Sequence, residues 1–315
     1  MNSPLPAPFR GIIPPMVTPL RGQDELDVEG LERLVEHILG GGVHGLFILG
    51  TTGEGPSLSY KLRMELIERV CRQAAGRVPV LVGITDSSYS ESVDLAHYAH
   101  DEGASAVVLA APYYFPARQE DLLRYVQHIA PELPLPVFLY NMPSHTKLAF
   151  EVDLVKQALH IPNVVGMKDS SGLFVYFQAV QHAIKERPDF TLLVGPEEML
   201  AATVLFGGHG GVPGGGNLFP RLYVELLEAA TTGDLETTRR LHAQTIRIST
   251  KLYCVGNYGT GITKAIKAAL ACLGICGTTL AEPFQALDAA DQARVRKVLD
   301  ELASYEPEIC AVKLP

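Results

Sequence analysis

The chain has 315 residues, 47% hydrophobic and 19% charged, with 26 Lys and Arg against 35 Asp and Glu for a formal charge of −9. That is enough apolar material for a large core and is far from a disordered composition, while the acidic balance argues against nucleic acid, whose binding needs basic side chains set against phosphates. No run of about 18 apolar residues suggests a membrane span. The first ten residues hold three prolines and no apolar stretch of a signal peptide, so a cytoplasmic location is expected.

In chain order, short β-branched or aliphatic runs alternate with stretches of helical period. Strands are predicted at Gly11–Val17, Gly45–Leu49, Pro79–Gly83, Ala106–Ala110, Pro136–Tyr140, Val164–Lys168, Thr191–Gly195 and Gly210–Pro213. Between them lie amphipathic helices such as Val28–Leu39, with Leu31, Leu34, Val35 and Ile38 on one stripe, and Leu58–Ala75, with Leu62, Leu66, Ile67 and Val70. Eight strands with intervening helices predict an α/β fold, a (β/α)8 TIM barrel over residues 1–230. Residues 231–315 read as a C-terminal helical appendage. Its breaks fall at Gly233, Gly256 and Gly274, between helices predicted at Leu218–Thr231, Leu235–Leu252, Thr260–Leu273 and Asp288–Ser304. The five cysteines, Cys71, Cys254, Cys272, Cys276 and Cys310, are scattered and form no CxxC pair. They read as reduced, small apolar residues, and the histidines show no HxH or HExxH spacing, so no metal is expected.

In such barrels the chemistry sits where strands end. Strand two delivers Gly50-Thr51-Thr52-Gly53-Glu54-Gly55, strand five Tyr140-Asn141-Met142-Pro143, strand six Lys168-Asp169-Ser170-Ser171, and strand seven Gly195-Pro196-Glu197-Glu198. Lys168 carries the most information. A free lysine has a pKa of about 10.4, so its amine becomes a nucleophile near neutral pH only when desolvated, as on the inner face of an apolar strand. The alternative is a lysine that reaches out to Asp169 or Glu198. Tyr140, on the neighbouring strand, suits proton transfer beside that amine. Thr51 and Thr52 either donate to an anion or cap the helix that follows.

Taken together, Gly50-Thr-Thr-Gly-Glu54, Pro112-Tyr-Tyr114, Leu139-Tyr-Asn-Met-Pro143, Gly166-Met-Lys-Asp169 and Gly207-Gly-His-Gly-Gly211 resemble the dihydrodipicolinate synthase and N-acetylneuraminate lyase family of pyruvate-type class I aldolases. The resemblance runs from about Gly11 to Leu273. It implies a homotetramer, arranged as a dimer of dimers, that needs no metal or organic cofactor because Lys168 itself forms the imine. It makes Tyr140 the proton shuttle and places the substrate carboxylate in the Thr51-Thr52 loop. Thr51 and Tyr140 join a relay whose third member, Tyr114, comes from the partner subunit in many relatives, and Val212 lines the pocket for the pyruvate methyl group.

The match thins at the second substrate. Synthases of the family carry an arginine two residues beyond the proline of the Tyr140 segment, and here that position is His145, which lacks the bidentate fork. The Glu197-Glu198 pair resembles the acids with which neuraminate lyases bind sugar hydroxyls, and Ser170 is a further donor. The expected activity is therefore a lyase cleaving a hydroxylated 2-oxo-3-deoxy sugar acid to pyruvate and an aldehyde. The alternatives are 4-hydroxy-tetrahydrodipicolinate synthase, a 2-oxo sugar acid dehydratase, and a silent barrel kept as sensor or scaffold. Dinucleotide binding is not expected, because neither His209–Asn217 nor Gly256–Gly261 forms GxGxxG in an N-terminal βαβ unit.

Overall fold

The computed structural model describes residues 5–256 and 261–305, so Thr260, at the start of one predicted helix, and Cys310 lie outside the described residues. Its strands are β1 (Gly11–Ile12), β2 (Leu20–Gly22), β3 (Glu25–Leu26), β4 (Leu46–Ile48), β5 (Val80–Gly83), β6 (Ala106–Ala110), β7 (Val137–Asn141), β8 (Val164–Asp169), β9 (Thr191–Val194) and β10 (Gly210–Gly211). Eight of them form one parallel sheet in the order β1-β10-β9-β8-β7-β6-β5-β4. The sheet is curled, and an isolated bridge pairs Pro15, just past β1, with Phe47 of β4 in parallel, with Met16 N donating to Phe47 O at 2.8 Å and Phe47 N to Pro14 O at 3.1 Å.

The first predicted strand differs from expectation. Instead of one run over Gly11–Val17 there is the short β1 followed by the Pro15 bridge, because Pro14 and Pro15 have no N–H to give to a ladder. The reading also missed the antiparallel β2–β3 hairpin, whose turn puts Asp24 in the left-handed region at φ 55°. Helices fall close to their predicted places, as Val28–Gly40 capped by Asp27 and Tyr60–Ala74 capped by Ser59.

Period-two alternation separates two cores. On β6, Ala106, Val108 and Ala110 face inward, joined by Phe138 and Tyr140 of β7 and Leu193 of β9. The alternate residues Val107, Leu109, Val137, Leu139 and Met167 pack under the surrounding helices. That outer core runs without a break into the C-terminal region through Leu241, Ile248, Leu252, Ile266 and Leu270. There the helix Leu235–Arg247 passes into a turn of π-helix at Ile248–Leu252 and is followed by helices Gly261–Cys272 and Ala289–Tyr305. Among the described residues no helix is long and apolar enough to cross a membrane.

Asn217 fastens the end of the β1 segment to the loop after β10. Fully buried, it accepts from Val17 N at 3.0 Å and donates to the carbonyls of Pro15 and Gly214, both at 2.9 Å. Asn217→Ala strands these buried groups. It is expected to cost about 2 to 4 kcal/mol, seen as a lower urea midpoint with an unchanged slope.

Candidate active site

Register decides which way Lys168 points. Tyr140 pairs with Ala110 on one side and with Lys168 on the other, and Lys168 pairs with Leu193. Ala110, Tyr140 and Leu193 all face inward, so the lysine belongs to the same inner row. Below it, Gly166 leaves room for Phe138: a Cβ at Gly166 would meet Phe138 Cε1 at 2.4 Å. Lys168 is 6% exposed, and its Nζ sits 4.2 Å from the ring centre of Tyr140 and 4.9 Å from that of Phe47. Burial holds the amine below the ordinary 10.5, against the opposing influence of Tyr140, which favours the charged form.

Asp169 is not the lysine's partner. It faces the other way, accepting from Asn141 Nδ2 at 2.8 Å, Ser171 N at 3.1 Å and Ser171 Oγ at 3.0 Å. Among the described residues Lys168 makes no ion pair with Glu198 either.

Above the amine lies a cleft of about 240 Å³. Thr51, Thr52, Tyr140, Ser170 and Val212 all border it, and Thr51 Oγ1 lies 3.2 Å from the Tyr140 hydroxyl. The two threonines do not cap the following helix, whose first turn is capped by Ser59 Oγ accepting from Leu62 N at 3.2 Å. Ser170 fits because Gly195 has no side chain: a Cβ there would come within 1.9 Å of Ser170 Oγ. His145 stands at the rim, and burial together with Lys147 holds its imidazole below 6.5, so it is neutral at pH 7.

The surroundings of Glu197 differ from the sequence expectation. Glu197 borders the cleft, and both of its carboxylate oxygens accept from protein donors. Oε1 accepts from Tyr223 Oη at 2.5 Å and Tyr253 Oη at 3.0 Å, while Oε2 accepts from Gly215 N at 2.8 Å. Of the acidic pair, half-buried Glu198 is the one left facing the opening. Tyr114 is 83% exposed, edge-on to Phe115, and takes no part in the cleft of its own chain. Sequence reasoning missed Tyr253 and Thr263, which reach the cleft from the C-terminal region. No spacing within the barrel repeats points to them, because they follow the last strand by some 40 to 50 residues. Among the described residues no three His, Cys, Asp or Glu side chains gather as a metal site would require.

A curled parallel sheet that opens a cleft at its carboxyl end, above an inward lysine, places the protein with α/β enzymes of the pyruvate-dependent aldolase and lyase type. Residues 8–302 match the model of the dihydrodipicolinate synthetase family, and the chain belongs to that family. It is 32% identical over 286 residues to a 4-hydroxy-tetrahydrodipicolinate synthase of Aromatoleum aromaticum, an alignment covering 90% of this chain and 95% of the relative. Its fold is similar to a dihydrodipicolinate synthase structure from Bacteroides thetaiotaomicron, at 53% identity and a TM-score of 0.91, covering 96% of this chain and all of the other. Escherichia coli YagE, named as a candidate 2-dehydro-3-deoxy-D-gluconate aldolase and solved in complex with pyruvate, superposes with a TM-score of 0.88 at 31% identity, covering 93% of this chain and 98% of its own.

The shifts at Lys168 and Glu197 act on stability with opposite signs. An unfolded lysine keeps its proton up to 10.5 and buried Lys168 loses it earlier, so between those values the unfolded state binds more protons and stability rises with pH. Lys168→Met is therefore expected to melt above the wild type at pH 7 and to lose that rise; a lower melting temperature in calorimetry would contradict it. Burial pushes Glu197 up from 4.5 to about 7, so its contribution is present below 4.5 and is lost as pH rises through about 7. A Glu197→Gln variant should show a flatter melting profile over that interval than the wild type does.

Proposed function

We propose that this chain is a Schiff-base lyase that cleaves a hydroxylated 2-oxo-3-deoxy sugar acid to pyruvate and an aldehyde, working as a (β/α)8 barrel in the cytoplasm. The observation that carries the reading is the desolvated Lys168 amine beside Tyr140, whose hydroxyl lies 3.2 Å from Thr51 Oγ1. The neutral amine adds to C2 of the 2-oxo acid, and the carbinolamine loses water to give an iminium. Tyr140, coupled to Thr51, then accepts the proton of the C4 hydroxyl as the C3–C4 bond breaks. The electron pair passes into the iminium to form an enamine, and the aldehyde leaves. Protonation at C3 and hydrolysis release pyruvate and return the amine. The iminium is the electron sink, so the reaction calls for no metal or organic cofactor.

Thr51 and Thr52 suit the substrate carboxylate, and Val212 suits the methyl group formed at C3. Ser170 and Glu198 are placed for hydroxyls further along the chain, and neutral His145 offers one hydrogen bond without a counter-charge for a second carboxylate. The resemblance to YagE supports this substrate class. Tyr114 completes the relay when a partner subunit supplies it, in a homotetramer arranged as a dimer of dimers; its exposure is consistent with a contact made outside its own chain.

A second reading, 4-hydroxy-tetrahydrodipicolinate synthase condensing pyruvate with aspartate semialdehyde, is favoured by the names of several relatives. One experiment separates the readings. Borohydride added in the presence of pyruvate should trap an adduct on Lys168, seen by peptide mass spectrometry and absent from Lys168→Ala. Pyruvate release should then be measured from a series of 2-oxo-3-deoxy sugar acids beside condensation with aspartate semialdehyde. Absence of any adduct would sink the imine mechanism, and turnover of the semialdehyde alone would replace the lyase with the synthase.

A further inference from the structure

The Thr51-Thr52 loop is held from behind by a buried ion pair. Glu54 sits in the left-handed region at φ 58° and ψ 21°, a conformation that costs energy outside glycine and persists where surrounding contacts enforce it. Its N–H closes a turn onto Thr51 O at 3.1 Å, and Gly55 N reaches back to Gly50 O at 3.2 Å. Gly53 O accepts from Thr18 Oγ1 at 2.7 Å. The Glu54 side chain points away from the cleft into the C-terminal region. Oε2 accepts from Ala281 N at 2.7 Å, and Oε1 lies 2.5 Å from Lys267 Nζ, with side-chain exposures of 2% and 0%. Lys267 also donates to Thr279 O at 2.7 Å. No other donor among the described residues satisfies Glu54 Oε1.

Burying two charges is expensive, and well-packed apolar residues would join these segments at least as firmly. What an ion pair adds is a defined position: the carboxylate must meet one amide and one ammonium, which fixes the loop that bears it. Lys267 lies on the helix Gly261–Cys272, whose first turn brings Ile262 and Thr263 to the cleft. The pair therefore ties two walls of the cleft to each other.

We propose that Glu54 and Lys267 are positioning residues for the site, with the C-terminal helix setting, through their ion pair, the placement of the Thr51-Thr52 loop that receives the 2-oxo acid carboxylate. This rests on the reading of that loop given above. The test uses full-length Lys267→Met, Glu54→Gln and the double variant Glu54→Gln/Lys267→Met, the last lacking both charges while keeping similar volumes. The readouts are the melting temperature, the pyruvate concentration that half-saturates borohydride trapping on Lys168, and the trapping rate at saturation. The double variant is expected to recover most of the melting temperature lost in the single variants. Its half-saturating pyruvate concentration should nonetheless stay raised by about tenfold, with a saturated trapping rate within about twofold of the wild type. A double variant with restored melting and wild-type half-saturation would overturn the proposal and leave the pair a matter of stability alone. Glu54→Gln, nearly isosteric, carries the same comparison if Lys267→Met does not fold. Should the wild type itself fail to trap pyruvate, it is the reading of Lys168 that falls. The coupling is then judged by hydrogen exchange at the Glu54 and Gly55 amides, expected to quicken by about tenfold in Glu54→Gln and to refute the coupling if unchanged.

Discussion

The structure turns on keeping one amine out of water. A lysine whose ammonium is solvated cannot attack a carbonyl at neutral pH, and stripping that solvation destabilises the folded chain by the same free energy that makes the amine reactive. The inner layer supplies the environment. Ala110 and Leu193 flank Lys168 and Tyr140 in one row, Gly166 lets Phe138 form the floor beneath, and Phe47 comes in from across the curl. The short bridge between Pro15 and Phe47 matters for the same reason, since it brings that ring to the amine.

Around this dry floor the polar groups fall into two sets. Thr51, Thr52, Ser170 and Glu198 turn toward the cleft. Glu197, Glu54, Asp169 and Asn217 turn away from it and hold the loops that present the first set. Several of the second set are buried carboxyl groups, whose charged form persists only with donors arranged around it. The division also answers the overall charge of −9, which should repel anionic substrates. Of the acids Glu197 and Glu198 that border the cleft, Glu197 is turned onto two tyrosines and a backbone amide, so the opening is less acidic than the composition suggests.

How much of this was legible in the sequence differs residue by residue. The inward placement of Lys168 and Tyr140 was legible because alternation on adjacent strands is a local rule. The direction of Asp169 was open in the sequence, since a strand-end carboxylate can turn either way, and here Asn141 and Ser171 decide it. The partners of Glu197 could not be read, because its neighbours in sequence are loop residues, whereas its hydrogen-bond partners Tyr223 and Tyr253 lie 26 and 56 residues further on. The β2–β3 hairpin escaped notice because three- and two-residue strands are too short to show a period.

By itself, the sequence determined the repeated strand–helix order, the family, the inward lysine with its tyrosine, and the glycines that clear space at strand ends. These follow from periodicity and local sterics, which act over a few residues. Only the tertiary structure decided how Glu197 and Glu198 are partnered, that Ser59 rather than a threonine caps the helix Tyr60–Ala74, and that the C-terminal region reaches the cleft through Tyr253 and Thr263 and the loop behind it through Lys267. The reason is physical. A buried charge takes its meaning from the donors that surround it, and those arrive from segments up to 227 residues apart, as with Glu54 and Ala281.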